Sequence, residues 1–169
     1  MPNWCFNSLQ VTGSKEDLEK LREDVKGGGC PISFEKILPT PTTEEELDEQ
    51  TKDSEHRRIM EMATGVKTVD WYSWRVTNWG TKWDITSCDE DFSDEWWTLS
   101  FDTAWSPPVM ALRHMLAGRP LDATLEYHES GNWFAGYVKW EQGVVVEAKS
   151  GEPGDFEFSQ FLLIYEDEE

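Results

Sequence analysis

Alternating hydrophobic and polar positions predict a strand near the start of the chain. Over residues 3–12, Cys5, Asn7, Leu9 and Val11 share one side, and the residues between them share the other. A two-residue period of this kind is typical of a strand with one buried face. We therefore expect the first strand of a sheet here.

The next segment changes to the spacing of an amphipathic helix. Ser14 is a favoured N-cap residue, and Asp17 stands three positions later as its capping partner. Apolar residues then recur at three- and four-residue intervals at Leu18, Leu21 and Val25. The glycines at 27–29 are expected to end the helix, because glycine adopts left-handed backbone conformations without steric cost.

The middle of the chain, from about residue 40 to residue 78, predicts a helical insertion. Thr43 and Glu46 have the spacing of a capping box, and a helix is predicted over roughly 54–63. A further short helix is predicted around the aromatic residues 71–74, packed inward. The proline-rich stretch before the insertion, residues 31–41, predicts a short strand or an extended loop.

After the insertion, alternation over 81–87 and 96–102 predicts an antiparallel hairpin, with residues 89–91 in its polar turn. Ser106 is predicted to cap a second helix whose first position is Pro107. Further strands are predicted over 122–128, 133–140 and 144–149. An apolar, aromatic segment over 156–165 could add an edge strand or lie across a groove.

This order of elements predicts an α+β fold. Without the insertion it begins β-α-β-β-α-β, the ferredoxin-like arrangement of an antiparallel sheet with two helices on one face. We expect one domain over residues 1–169, with a helical insertion at about 40–78, extra C-terminal strands and an extension at about 150–169. The opposite sheet face then needs a cover or becomes a binding surface.

The charge restricts the class of partner. The 169 residues contain 34 acidic and 15 basic side chains, a net charge of −19. Nucleic acids and anionic membranes attract lysine and arginine, so direct binding to either is not expected. A basic protein or a small molecule remains as the expected partner.

Several classes of site and location find no support in the sequence. No apolar run is long enough to span a bilayer, and the first residues lack the pattern of a secretory signal. The cysteines Cys5, Cys30 and Cys88 are odd in number and form no C-x-x-C pair, which favours a reducing cytoplasm. The histidines show no metal-binding spacing, and no nucleophile or phosphate-loop motif is present. We expect neither enzymatic activity, nor a metal, nor another cofactor.

Five strings carry a family resemblance. They are MPNWCFNSL at 1–9, NWGTKWD at 78–84, FDTAWSPP at 101–108, YHE at 127–129 and FAG at 134–136. Together they resemble the YubB-type ferredoxin-like domain of proteins from phages, plasmids and pathogenicity islands. The resemblance spans roughly residues 1–145. It implies the fold and an origin on a mobile element, but no agreed activity and no catalytic residues.

The string at 78–84 has two interpretations. Aromatic walls with a few polar groups are typical of a small-ligand pocket, in which Lys82 and Asp84 would share one strand face. The candidate pocket residues, with one tryptophan from the following motif, are Asn78, Trp79, Lys82, Trp83, Asp84 and Trp105. The alternative is a structural corner in which the tryptophans fill the core, and buried aromatic residues favour that interpretation.

Acidic residues form clusters that exceed the need for solubility, since a magnitude of about 2–8 suffices for a small domain. Two clusters are candidates for a partner-binding surface: Glu44, Glu45, Glu46, Asp48 and Glu49, and Asp89, Glu90, Asp91, Asp94 and Glu95. A rigid acidic surface can imitate the charge density of DNA and occupy a basic groove.

Two functional hypotheses follow. The first is a non-enzymatic inhibitor of a host nucleic-acid-binding defence system, such as a CRISPR or restriction complex. It would act by protein contact, with DNA mimicry as one form of that contact. The second is a small-ligand protein that binds a nucleotide signal through the tryptophan-rich string. The first predicts binding that weakens steeply with salt.

Overall fold

A six-stranded antiparallel sheet organises the chain, and its strand order is β2-β3-β1-β4-β5-β6. The computed structural model describes residues 2–43, 46, 62–63 and 71–156. The strands are β1 (Trp4–Thr12), β2 (Cys88–Phe92), β3 (Trp96–Ala104), β4 (Asp122–Glu129), β5 (Phe134–Glu141) and β6 (Val144–Gly151). The helices described are α1 (Lys15–Val25), α2 (Phe34–Ile37), α3 (Trp71–Asn78) and α4 (Val109–Leu116). A 3-10 turn (Pro153–Asp155) follows β6.

The first four strands confirm the ferredoxin-like prediction. They lie in the order β2-β3-β1-β4, and α1 and α4 occupy the two crossover positions of the β-α-β-β-α-β unit. β5 and β6 extend this sheet beyond β4 as antiparallel hairpin strands, as the sequence predicts.

One core lies between the sheet and the helices. The predicted inward residues of β1 and α1 are buried in it, and so are Leu112, Met115 and Leu116 of α4. On β3, Trp97, Leu99 and Phe101 enter the same core, opposite the inward residues of β1. α1 begins as predicted, because the Ser14 hydroxyl accepts the Asp17 N–H at 3.2 Å.

The hairpin prediction is correct in type but wrong in position. Residues 81–87 form no strand, and β2 begins at Cys88 and contains residues 89–91, which were predicted as the turn. The connection is instead the tight turn at 93–95, where the Ser93 N–H donates to the Trp96 carbonyl at 2.9 Å. Acidic residues are compatible with β2 because it is an edge strand with one solvated face.

Three further predictions need correction. α4 begins at Val109, and the Ser106 hydroxyl donates to the Gly80 carbonyl instead of capping the helix. Residues 31–41, predicted as extended, contain α2, with Ser33 as its N-cap. α3 confirms the helix around residues 71–74, but among its three aromatic residues there Trp74 is buried whereas Trp71 and Tyr72 are exposed.

Parts of the predicted organisation lie outside the described residues. These are the helix at 54–63 except for residues 62–63, most of the insertion before Trp71, and the segment after Phe156. The Glu46 N–H donates to Thr43 Oγ1 at 3.2 Å, which is one half of the predicted capping box. No helix in the described ranges is long and apolar enough to cross a membrane.

Candidate functional site

The side of the sheet opposite the core is polar. Directly paired residues of neighbouring strands point to the same side, so the strand register defines this surface. We call it the polar face. The polar residues on its β2–β3–β1 half include Asp89, Asp91, Thr98, Ser100, Asp102, Ser8 and Gln10, and the same side also carries the aromatic residues Trp4, Phe6 and Trp96. The apolar residues that alternate with these side chains lie in the core.

Strand alternation divides the acidic residues of β2 between the two sides of the sheet. Asp89 and Asp91 pair with Ser100 and Thr98 and therefore lie on the polar face. Glu90 lies on the core side, where it accepts hydrogen bonds from Arg22 at 2.9 Å and from the Trp97 indole at 2.8 Å. Only part of the predicted acidic cluster is thus available to a partner.

The other predicted acidic residues have varied positions. Asp94 lies in the β2–β3 turn and pairs with Lys15 at 3.3 Å, while Glu95 follows it and is exposed. Glu46 is exposed. The remaining members of the first cluster, Glu44, Glu45, Asp48 and Glu49, lie outside the described residues.

Asp102 adds a carboxylate that the sequence analysis did not select. It lies on the polar face of β3, directly opposite Phe6 of β1. Partial desolvation raises the pKa of its carboxyl above the ordinary value of 3.8. The folded protein therefore holds this group where its charge is partly unfavourable, which is common at binding sites.

This raised pKa makes the stability of the chain depend on pH. Because the folded state binds the Asp102 proton more tightly, stability falls as pH rises through the interval above 3.8. We expect Asp102→Asn to raise the free energy of unfolding at pH 7 by less than about 1 kcal/mol, since solvent screens the group. The gain should disappear near pH 3, as measured by urea unfolding. A variant less stable than the parent at pH 7 would contradict this. Glu16→Gln, at an exposed position of α1, controls for the change in net charge.

The six candidate pocket residues have different environments, and several of them have structural partners. Trp79 is buried and its indole N–H donates to the Leu38 carbonyl at 2.9 Å. The Asn78 amide donates to the Trp74 carbonyl at 2.9 Å within the turn that ends α3. Both residues therefore occupy the structural corner that was the alternative interpretation.

Asp84 also has a structural role. One carboxylate oxygen accepts the Phe34 N–H at 2.6 Å, and the other accepts the Ser33 hydroxyl at 2.7 Å. These donors belong to the start of α2, so Asp84 caps that helix from a distant part of the chain. The predicted strand face shared by Lys82 and Asp84 does not exist.

Lys82 lies instead among aromatic rings. Its ammonium nitrogen is 4.5 Å from the ring centre of Trp83, 4.8 Å from that of Trp105 and 5.7 Å from that of Tyr72. Trp4 extends this group through Trp83, and Trp71 extends it through Tyr72. We call Trp4, Trp71, Tyr72, Trp83 and Trp105 the aromatic cluster.

Two of the three cysteine thiols, those of Cys5 and Cys88, lie in surroundings that disfavour their charged form. Burial raises the pKa of Cys88 to about 12 and also raises that of Cys5, so both thiols stay protonated at neutral pH. Among the described residues, no group of three His, Cys, Asp or Glu side chains is placed to hold a metal ion.

Comparison with known proteins identifies the family. The family model described as the ferredoxin-like domain in Api92-like protein matches residues 82–168. The chain belongs to this family. No curated protein sequence matches the chain significantly.

A solved structure supports the same fold over most of the chain. The chain is similar to the crystal structure of the protein api92 from Yersinia pseudotuberculosis, with a TM-score of 0.54 and 13% sequence identity. The match covers 94% of this chain and 100% of the api92 chain. An identity this low establishes the fold alone. The family match continues to residue 168 and thus includes C-terminal residues that lay beyond the resemblance to residue 145.

The candidate residues predicted from the sequence did not include three members of the aromatic cluster, Trp4, Trp71 and Tyr72, or the acidic Asp102 of the polar face. Trp4 was assigned to the outer side of β1, but its contact with Trp83 joins residues 79 positions apart and leaves no local signal. Tyr72 was expected inside. Asp102 could have been found from strand alternation, because it follows the apolar Phe101 in the predicted strand over 96–102 and therefore falls on the opposite side.

Proposed function

We propose that the chain is a non-enzymatic binding protein of a phage or other mobile element. It inhibits a host nucleic-acid-binding defence system by protein contact in the host cytoplasm. The resemblance to YubB-type domains supports the mobile-element origin, and the net charge of −19 supports a basic partner. CRISPR and restriction complexes are candidate targets because such complexes bind nucleic acid through basic grooves.

The polar face is the observation that carries this proposal. Asp89 and Asp91 project from the same side of β2, about 7 Å apart along a strand. No salt bridge in the described ranges joins either residue, or Asp102, to a cation. The strand backbone fixes the spacing of these charges, so ordering them on binding costs little conformational entropy.

The arrangement resembles a short row of phosphates. Carboxylates at alternate strand positions repeat at about twice the axial spacing of phosphates along one DNA strand. A groove with regularly spaced lysine and arginine side chains could therefore bind them in place of DNA. Such binding accelerates association and weakens as salt screens the charges.

The test uses bacteria that carry a defined restriction or CRISPR system. Expression of the chain should raise the plating efficiency of a phage that the system targets. The double variant Asp89→Asn/Asp91→Asn should lose most of this protection. The control Glu16→Gln/Glu19→Gln removes two exposed charges from α1 and should retain it.

Binding to the target complex gives the quantitative prediction. Asp89→Asn/Asp91→Asn should weaken binding about threefold to tenfold at low salt, and the difference should shrink as salt rises. Isothermal calorimetry with the purified target measures both quantities. Equal protection and equal affinity for the two double variants would exclude the polar face as the binding surface.

A further inference from the structure

The aromatic cluster exposes an unusual amount of ring surface. Trp4 is 42% exposed, Trp71 44%, Tyr72 37% and Trp105 39%. Ring contacts make the group continuous, with centre separations of 6.3 Å for Trp4–Trp83 and for Tyr72–Trp105. Contiguous exposed apolar surface commonly marks an interaction site.

Rings of this cluster already bind cations within the chain. Besides Lys82, the guanidinium carbon of Arg75 lies 4.9 Å from the ring centre of Trp71. Arg75 also pairs with Glu35 at 2.8 Å, so one guanidinium contacts a ring and a carboxylate together. The exposed surface of these rings can offer the same contact to a cation from another molecule.

The backbone at Trp105 is a second, independent observation. Trp105 has φ of 67°, in the left-handed region that bulky residues rarely adopt. Its N–H donates to the Asn3 carbonyl at 2.9 Å, which fixes this conformation at the start of β1. Glycine would satisfy the same geometry without strain, so the backbone at this position does not itself require a tryptophan.

The cluster adjoins the acidic part of the polar face. Trp4 lies opposite Ala104 across the β1–β3 pair, and Asp102 is two residues before Ala104 on the same side. The two side chains are thus diagonal neighbours, about 7–8 Å apart in such a pair. A partner group at this position meets ring surface and a carboxylate together.

We propose that the aromatic cluster selects arginine side chains of the basic partner, a specificity that rests on the proposed function. The guanidinium group is planar and weakly hydrated, so it can stack on indole and phenol rings. At the same time it can donate two parallel hydrogen bonds to a carboxylate. Lysine carries the same charge but is more strongly hydrated. The carboxylates attract any cation, and the rings distinguish arginine from lysine.

The test compares labelled oligoarginine and oligolysine peptides of equal length by fluorescence anisotropy. The parent protein should bind oligoarginine about fivefold more tightly than oligolysine. Trp105→Gly should reduce this preference at least twofold, because losing the ring weakens the binding of oligoarginine more than that of oligolysine. Tyr72→Leu provides a second cluster variant that does not alter the strained backbone position.

Two control variants separate the possible failures. Trp133→Gly removes another exposed tryptophan, with φ of 56°, outside the cluster and should retain the full preference. Asp89→Asn/Asp91→Asn should weaken the binding of oligoarginine and of oligolysine by the same factor. An unchanged arginine preference in both cluster variants would overturn this inference and leave the proposed function intact. Failure of both peptides to bind the parent protein would count against the acidic surface itself, and therefore against both proposals.

Discussion

Replacing Trp79 by alanine is expected to lower the free energy of unfolding by about 4 kcal/mol. Trp79 is fully buried between Phe34 and Trp74, with ring centres 5.7 Å and 6.1 Å away. Its removal leaves a large cavity and deprives the Leu38 carbonyl of the indole donor. Both losses occur where α2, α3 and the loop before β2 meet, so the effect should be global.

Urea unfolding followed by circular dichroism measures this loss. Trp71→Ala is the matched control, because it removes the same atoms from a ring that is 44% exposed and should cost less than about 1 kcal/mol. Trp79→Phe should recover part of the stability, since it refills part of the cavity. Similar losses for Trp79→Ala and Trp71→Ala would show that Trp79 is not a core residue.

The contrast among tryptophans shows where sequence reasoning succeeds. Trp97 lies in a strand whose apolar residues alternate, so its burial follows from local pattern. Trp79 and Trp83 occur in one short string, and the pattern cannot separate the buried ring from the partly exposed one. Their environments depend on α2 and β1, which are distant in the sequence.

The acidic residues show a related limit. Their number predicts a negatively charged protein. Whether a partner can contact each carboxylate depends on the side of the strand on which it lies. Glu90 lies between Asp89 and Asp91 yet pairs with Arg22 of α1, 68 positions away. Because 89–91 was assigned to a turn, no alternation was expected there, and the division of the cluster could not be predicted.

The strands and helices that were predicted well share one property. β1, α1, β4 and the β5–β6 hairpin each have a local cap or turn signal, and in β1, α1 and β4 this signal accompanies a clear hydrophobic period. Residues 81–87 have the alternating hydrophobic period of a strand but form a loop. Its alternation arises because Ile85 enters the core while Asp84 turns toward α2, which is a tertiary arrangement.

Asp84→Ala is therefore expected to lower the free energy of unfolding by about 3 kcal/mol. Besides Phe34 and Ser33, its carboxylate accepts the N–H groups of Glu35 at 3.2 Å and Ile85 at 2.8 Å. Alanine leaves these donors without their charged acceptor and removes the contribution of Asp84 to the capping of α2, although Ser33 remains as the N-cap.

The corresponding fall in melting temperature is about 6–12 °C for a chain of this size, measurable by calorimetry. Asp84→Asn should cost roughly half as much stability. Its amide oxygen still accepts hydrogen bonds, but its NH₂ group cannot accept one from the donors that face it. Asp91→Ala removes an exposed carboxylate from β2 and should change stability by less than about 0.5 kcal/mol. Equal melting temperatures for Asp84→Ala and Asp91→Ala would show that the Asp84 carboxylate does not stabilise α2. The string at 78–84 could then again be interpreted as a ligand site.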